Sequence, residues 1–402
     1  MNTWKKTTLG EVVAIIDGDR GVNYPKNHEF VNDGYCLFLN AKNVPNDSFS
    51  FNEKMFITQE KDSILGKGKL KRGDFVLTTR GTVGNFAFYS EKVPFDNIRI
   101  NSGMVILRAK DKVIDKGFLK FYLKSHFFTD QVLFLSSGSA QPQLPIRDLC
   151  VFEIQIPPLP EQKAIAAVLL SFDDKIELLR RQNKTLEAIA QAIFKEWFVK
   201  FKVKGEQLKL NPKTGLPEGW RMGRLGEEFQ IVMGQSPDGK SYNESGNGMI
   251  FFQGRAEFQD RFPTIRLYTT EPKRIAEKFD VLVSVRAPVG DINVAFDRCC
   301  IGRGLGAVRG QYKSYTLYKI KSLKDAFDKF ESEGTVFGCI GKDAFANIET
   351  IIPDSKTVKA FEAIASILDV KIYNNYSQIQ TLSKLRDTLL PKLMKGEIRV
   401  KL

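Results

Sequence analysis

The sequence predicts an α+β protein: two β-rich α/β domains alternate with two long helices that pair as an antiparallel coiled coil. Three observations lead there. The 402 residues carry one ordered set of motifs twice, each set holds short apolar runs of strand character, and each ends in a long heptad seam.

The first copy opens at Trp4 and runs to Leu9-Gly10-Glu11; the second opens at Trp220 and runs to Leu225-Gly226-Glu227, a shift of 216 (225 − 9). Further on, GDFVLTTRGTVG (73–84) parallels FDVLVSVRAPVG (279–290), which sets Arg80 on Arg286 and Gly84 on Gly290. INSGMVILR (100–108) then faces IGRGLGAVR (301–309), and SGS (137–139) faces EGT (333–335). The shift drifts down to 196, as expected where loops differ and a framework is shared. Within each copy, DFVLTTR, DVLVSVR, GMVILRA and NVAF are β-branched and apolar between Gly, Asp and Pro, and read as buried strands.

After IQIPPLPEQ the period changes. Pro157, Pro158 and Pro160 stop the strand, and Glu161 suits the first turn of a helix. Ile165, Leu169, Phe172, Ile176, Leu179, Asn183, Leu186, Ala190, Ile193 and Trp197 recur at steps of four and three. Phe361, Ala365, Leu368, Ile372, Asn375, Ile379, Leu382, Arg386, Leu389 and Leu393 repeat the rhythm at a shift of 196 (361 − 165). A long helix with a narrow apolar seam needs a partner, and the simplest partner is the other helix. With a globular unit between them, an antiparallel pair is expected; the alternative is that each helix lies on its own domain. Asn183, Asn375 and Arg386 on the seam either fix register or mark where the pair splays. Phe194, Trp197 and Phe198 form an apolar end that either docks a partner or packs on a domain. The predicted organisation is a first domain at 1–157, a helical region at 158–200, a connector rich in Lys, Gly and Pro at 201–219, a second domain at 220–353 and a second helical region at 354–402.

Composition bounds the function. With 60 Lys+Arg against 47 Asp+Glu the net charge is +13, which favours a polyanionic partner, nucleic acid first. Two histidines and five cysteines without a C-x-x-C pair argue against a zinc site, a disulfide frame or a histidine-based triad. No apolar run reaches the length of a membrane span and the start lacks a signal core, so a cytoplasmic protein is expected.

GQSPDGKS (234–241) fits the pattern of a phosphate loop. A phosphate loop needs a helix behind it, yet Asn243, Gly246, Asn247 and Gly248 follow, and Pro237 removes one N–H from the cradle. The first copy has DGDRGVNYPK at the same place, with Gly18 on Gly234, so the element reads as a variable loop leaving a shared strand. IGRGLGAV (301–308) mimics a dinucleotide turn, but RGQYKSYTLYKIK after it reads as strand-like. There is no Asn-Pro-Pro-aromatic tetrad, nuclease carboxylate cluster or helicase signature, so a chain without a catalytic centre, metal or cofactor of its own is expected.

Two related basic modules on one spacer suit a linear polymer read at two places, and double-stranded DNA fits. Candidate readers are polar residues at strand ends and in Gly-rich loops: Asn40 and Lys42 in LNAKNV, Gln253 and Arg255 in FQGRAEF, Arg80 and Arg286 before their turns, Gln141 and Gln143 in GSAQPQLP, and Arg303 in IGRGLGAV. Asn and Gln match adenine, and Arg and Lys match guanine or phosphate. A stand-alone DNA-binding regulator and a self-contained enzyme are the alternatives from other classes; sequence-specific binding without partners marks the first, and turnover by the lone chain marks the second.

SSGSAQPQLPIRDL, IQIPPLPEQKAIAAVLLSFDDKIELLRRQNKTLEAIAQAIFKEWF and LRDTLLPKLMKGEIRV resemble the specificity subunit of Type I restriction-modification enzymes, over essentially the whole chain. MGQSP followed by SYN is similar to a recurring loop of that family's target-recognition domains. The resemblance implies two target-recognition domains, each reading one half of an asymmetric bipartite DNA site. It also implies a non-catalytic chain that holds two modification subunits, which methylate adenine with S-adenosylmethionine, and restriction subunits that use ATP and Mg. The second copy has IIPDSKTVKAF where the first has IPPLPEQKAIA, so equal contacts at both helices are not implied.

Overall fold

A computed structural model describes residues 4–136, 142–332 and 338–401. The chain divides into two units, Met1–Leu178 with Gln378–Leu402, and Leu179–Ser377, so that each long helix gives one part to each unit.

In the first unit, strand Lys5–Thr8 pairs antiparallel with Glu153–Ile156 and closes the domain on itself. The main antiparallel sheet runs Val13–Asp17, Met104–Ala109, Phe75–Thr78, Phe86–Phe88. Its central strands are apolar at nearly every position because both faces are covered. Phe75 and Leu77 enter one core with Val105 and Leu107, while Val76 and Ile106 enter another with Leu37 and Ile98. A smaller sheet sets Cys36–Leu39 parallel to Ile98–Ile100 and antiparallel to Phe56–Ile57.

The second unit repeats this order. Arg221–Arg224 pairs with Glu349–Ile352, and the main sheet runs Gln230–Met233, Leu305–Arg309, Val281–Ser284, Ile292–Val294. The smaller sheet again has a parallel pair, Met249–Phe252 with Cys299–Ile301, extended by Leu267–Thr269, Tyr242–Asn243 and Ile275–Ala276. Even the buried ion pair across the sheet is duplicated: Asp74 takes Arg108 at 2.7 Å, and Asp280 takes Arg309 at 2.7 Å.

The first long helix spans Leu159–Phe194 and continues into a π-helical turn, Lys195–Val199; the second spans Ser355–Lys395. Ile165, Leu169, Ile176, Leu179, Phe361, Ile372 and Ile379 are buried, and Phe172, Leu186, Leu368, Leu382 and Leu389 are half-buried. In the first unit Asp173 Oδ1 accepts from Arg386 Nη1 at 2.6 Å, and Glu161 takes the Arg399 guanidinium. In the second unit Asn183 Oδ1 accepts from Asn375 Nδ2 at 2.9 Å, and the Phe194 and Phe361 rings lie 5.5 Å apart. Within each unit partner numbers fall as the first helix advances, so the two helices run antiparallel there. Asn183, Asn375 and Arg386 sit inside the helix contact and fix its register; they do not mark a splayed point.

Several local expectations are corrected. KSYTLYKIKS is an α-helix, Lys313–Ser322, not a strand. Burial of Tyr315, Tyr318 and Ile320 overrides the β preference of their types. The glycine turn before it joins strand Cys299–Ile301 to strand Leu305–Arg309, so no strand-to-helix dinucleotide turn exists. Phe194, Trp197 and Phe198 are not a free docking face: they are buried with Trp220, Tyr315 and Phe361, Phe198 stacking on Trp220 at 5.7 Å. The 201–219 connector holds a small hairpin, Lys202–Val203 with Glu206–Gln207.

The Pro-Glu-Gln entry also turns inward. Gln162 Oε1 accepts from Asp115 N at 2.8 Å, and its Nε2 donates to the Val113 and Pro157 carbonyls. In the second unit Glu362 takes that anchoring role, accepting from Ser314 N and Tyr315 N at the start of helix Lys313–Ser322. Burial pushes the Glu362 carboxyl above its ordinary range, and the two backbone donors oppose that rise. Among the described residues no helix is long and apolar enough to cross a membrane, and no cluster of His, Cys, Asp or Glu could hold a metal ion.

Candidate nucleic-acid interface

Each domain presents one rim where strand ends of both sheets meet, and a shared hairpin builds it. In the first copy Gly84 N donates to the Thr78 carbonyl at 3.0 Å and Thr78 N to the Asn85 carbonyl at 2.8 Å. In the second, Gly290 N donates to Ser284 O at 2.9 Å and Ser284 N to Asp291 O at 2.8 Å. Gly84 and Gly290 have φ of 91° and 87°, a left-handed conformation that favours glycine. The hairpin leaves Arg80 and Arg286 exposed at its mouth, each in a single β-bridge, Arg80 with Gln143 and Arg286 with Cys339. Neither arginine has a carboxylate partner among the described residues.

The other first-copy candidates gather around Arg80. Its N–H donates to Gly103 O at 3.2 Å, and a Cβ on Gly81 would lie 3.7 Å from the Ala41 methyl, which brings in the Asn40–Lys42 turn. Asn40 caps that turn through Oδ1, accepting from Lys42 N at 2.9 Å, and Nδ2 is its remaining donor. Lys42 is exposed and pairs with Glu53 at 2.9 Å, an ion pair worth about 0–1 kcal/mol in water and easily exchanged for a phosphate. A cleft of about 350 Å³ between the loops is lined by Arg20, Arg80, Gln143 and Arg147, among others. Arg20 and Arg147 escaped the sequence reading; Arg20 donates to the Ser102 carbonyl at 3.2 Å, and Arg147 is 86% exposed. Gln141 lies outside the described residues.

In the second copy Gln253 and Arg255 hold the corresponding place. A Cβ on Gly302 or Gly304 would come within 2.9 Å of Gln253 backbone atoms, so those glycines let the two loops touch. Arg303 stands exposed between them, with its N–H on Ser236 Oγ at 3.2 Å. Arg255 pairs with Asp291 of the Arg286 hairpin. The structure thus brings Gln253, Arg255, Arg286 and Arg303 onto one rim.

The apparent phosphate loop belongs to this rim and has a steric origin. A Cβ on Gly234 would lie 2.1 Å from Gly302 O, and on Gly18 2.3 Å from Asn101 O. Both glycines are needed where one loop crosses another. Gly239–Ser241 is a 3-10 turn followed by strand Tyr242–Asn243, so no helix N-terminus faces a phosphate there.

The model of the Type I restriction modification DNA specificity domain matches residues 1–188 and again 217–384, which are the two copies described above. The chain belongs to this family. A chain named as the type I restriction enzyme MjaX specificity subunit of Methanocaldococcus jannaschii is 33% identical over 288 residues, covering 70% of this chain and 68% of the relative. The HindI specificity subunit of Haemophilus influenzae is 23% identical, with 99% and 100% covered. The solved S subunit of a Type I restriction-modification system from M. genitalium aligns over 100% of this chain and 97% of its own, at 17% identity and a TM-score of 0.61, a likeness of fold. As a Type I specificity subunit, the chain carries DNA recognition domains, one in each matched stretch.

Proposed function

We propose that this specificity subunit is a non-catalytic reader of an asymmetric, bipartite DNA site. Each recognition domain reads one half, and the antiparallel helices act as a coiled-coil ruler that sets the spacing and docks two modification subunits. Adenine methylation with S-adenosylmethionine, and translocation and cleavage with ATP and Mg, belong to the modification and restriction subunits. One observation supports this most: the same hairpin presents twice an exposed arginine without a carboxylate partner among the described residues, Arg80 and Arg286, among different neighbours. A shared frame with varied side chains suits two readings of one polymer.

In this reading Asn40, Gln143 and Gln253 pair with adenine edges, and Arg80, Arg286 and Arg303 with guanine or phosphate. Lys42 and Arg255 lie beside them and suit backbone contact. The test is co-expression with a modification subunit from the same host. The pair should purify together and methylate adenine at one bipartite sequence, whereas the lone chain should bind DNA without turnover. Methylation or cleavage by the purified chain alone would overturn the reading.

A further inference from the structure

In each unit an acidic residue at the same repeat position on one long helix holds the recognition domain, and the other long helix joins the contact. Asp173 and Asp369 are related by the seam's own shift (369 − 173 = 196). In the first unit Asp173, on the first helix, accepts from Lys120 of the domain at 3.3 Å and from Arg386 of the second helix at 2.6 Å. In the second unit Asp369, on the second helix, accepts from Arg261 of the domain at 2.6 Å and from Tyr318 OH at 3.0 Å. Glu187 of the first helix completes that joint, taking Lys321 and lying 3.8 Å from Arg261. Domain, first helix and second helix meet at each place.

We infer that Asp173 and Asp369 are positioning residues that hold each recognition domain at a fixed angle on the helix pair, and so set how strictly the complex measures the spacer between half-sites. The inference rests on the bipartite reading proposed above. One base pair more or less displaces a half-site by about 3.4 Å and turns it by roughly 35°. A domain free to tilt would absorb that change; a locked one would not.

The surroundings decide between loose and locked. Arg261 is 9% exposed and Asp369 16%, so neither can trade its partner for water as a surface pair does. Asp173 and Arg386 are 19% and 15% exposed. Burial alone would raise the Asp173 carboxyl, but the Arg386 hydrogen bond and nearby lysines hold it below its ordinary range, so it stays charged. A cavity of about 210 Å³, lined by Phe262, Phe279, Leu317 and Val370 among others, adjoins the joint in the second unit, so apolar packing is incomplete on that side of it.

The experiment uses the complex with its modification subunit and a DNA library in which both half-sites are constant and the spacer varies by one base pair. Its readout is the ratio of methylation at the natural spacer to that at the altered ones. Asp173→Asn and Asp369→Asn should each lower this ratio about tenfold, or about 1.4 kcal/mol of discrimination, with base preference unchanged in both halves. Asp369→Glu should restore it. If Asp369→Asn does not fold, Arg261→Lys, which keeps the charge and loses the fork, should show the same relaxation. Uniformly slower methylation with an unchanged ratio would mean a merely structural role and would overturn the inference. A wild-type complex that methylates no bipartite site would instead overturn the parent reading, and the joint with it.

Discussion

The rims of the two recognition domains share a backbone and differ in the side chains set around it. Around Arg80 the first offers Asn40, Lys42, Gln143, Arg20 and Arg147; around Arg286 the second offers Gln253, Arg255 and Arg303, with Cys339 in the bridge. The interiors differ too. Arg99 of the first copy is buried in the parallel strand pair, bonded to Asp62 at 2.6 Å and to the Lys67, Asp62 and Leu65 carbonyls, and Cys300 occupies that place in the second. What the copies share is therefore the hydrogen-bonded frame that aims the rim. What they do not share is the set of groups a DNA half-site would meet.

The interior difference gives the largest effect. Arg99→Met should cost about 3–5 kcal/mol, because it removes one partner of a buried pair, and the loss should fall on the first domain alone. Limited proteolysis of the variant should cleave within 1–157 and spare 220–353; equal cleavage of both would show that the units do not respond separately. The same pair predicts a pH dependence. Burial raises the Asp62 carboxyl, but hydrogen bonds from Lys69 and Arg99 more than offset this and leave it below its ordinary range. A lowered carboxyl stabilises fully above its unfolded value near ~4, and the contribution is lost as pH falls through its folded value. Acid should therefore loosen the first domain of wild type below pH ~4, and Arg99→Met should flatten that dependence.

The rims give smaller effects. Arg80→Ala and Arg286→Ala should each weaken DNA binding by about 1–3 kcal/mol and relax specificity in one half-site, a different half for each. Arg147→Ala should weaken binding to all sequences alike and lower the salt slope by about one, as the loss of one phosphate contact does. Binding titrations at several salt concentrations check both, and a change confined to one base pair on Arg147→Ala would assign it to direct reading instead.

Much of this was legible in the sequence because it is periodic. The paired copies, the strands DFVLTTR and DVLVSVR and the heptad seam each repeat a local pattern that burial enforces. The rim was legible only in part. Asn40, Arg80, Gln253 and Arg286 follow strands and could be named from order alone. Arg20 and Arg147 could not, because their cleft joins loops far apart in the chain; the one sequence signal was that Arg20 stands beside Gly18, the partner of Gly234. Helix Lys313–Ser322 was misread because its Tyr, Thr and Ile content follows burial between sheet and long helix, and not a free choice of backbone. Phe194, Trp197 and Phe198 were open to two readings because an apolar helix end looks the same whether its partner is the chain's own core or another protein.

The central claim, two independent readers in one chain, is tested most directly by exchanging residues 1–157 for the first recognition domain of another specificity subunit and sequencing methylated adenines genome-wide. The claim requires one half of the methylated site to change while the other half stays as it was. Alteration of both halves, or of neither, would contradict it.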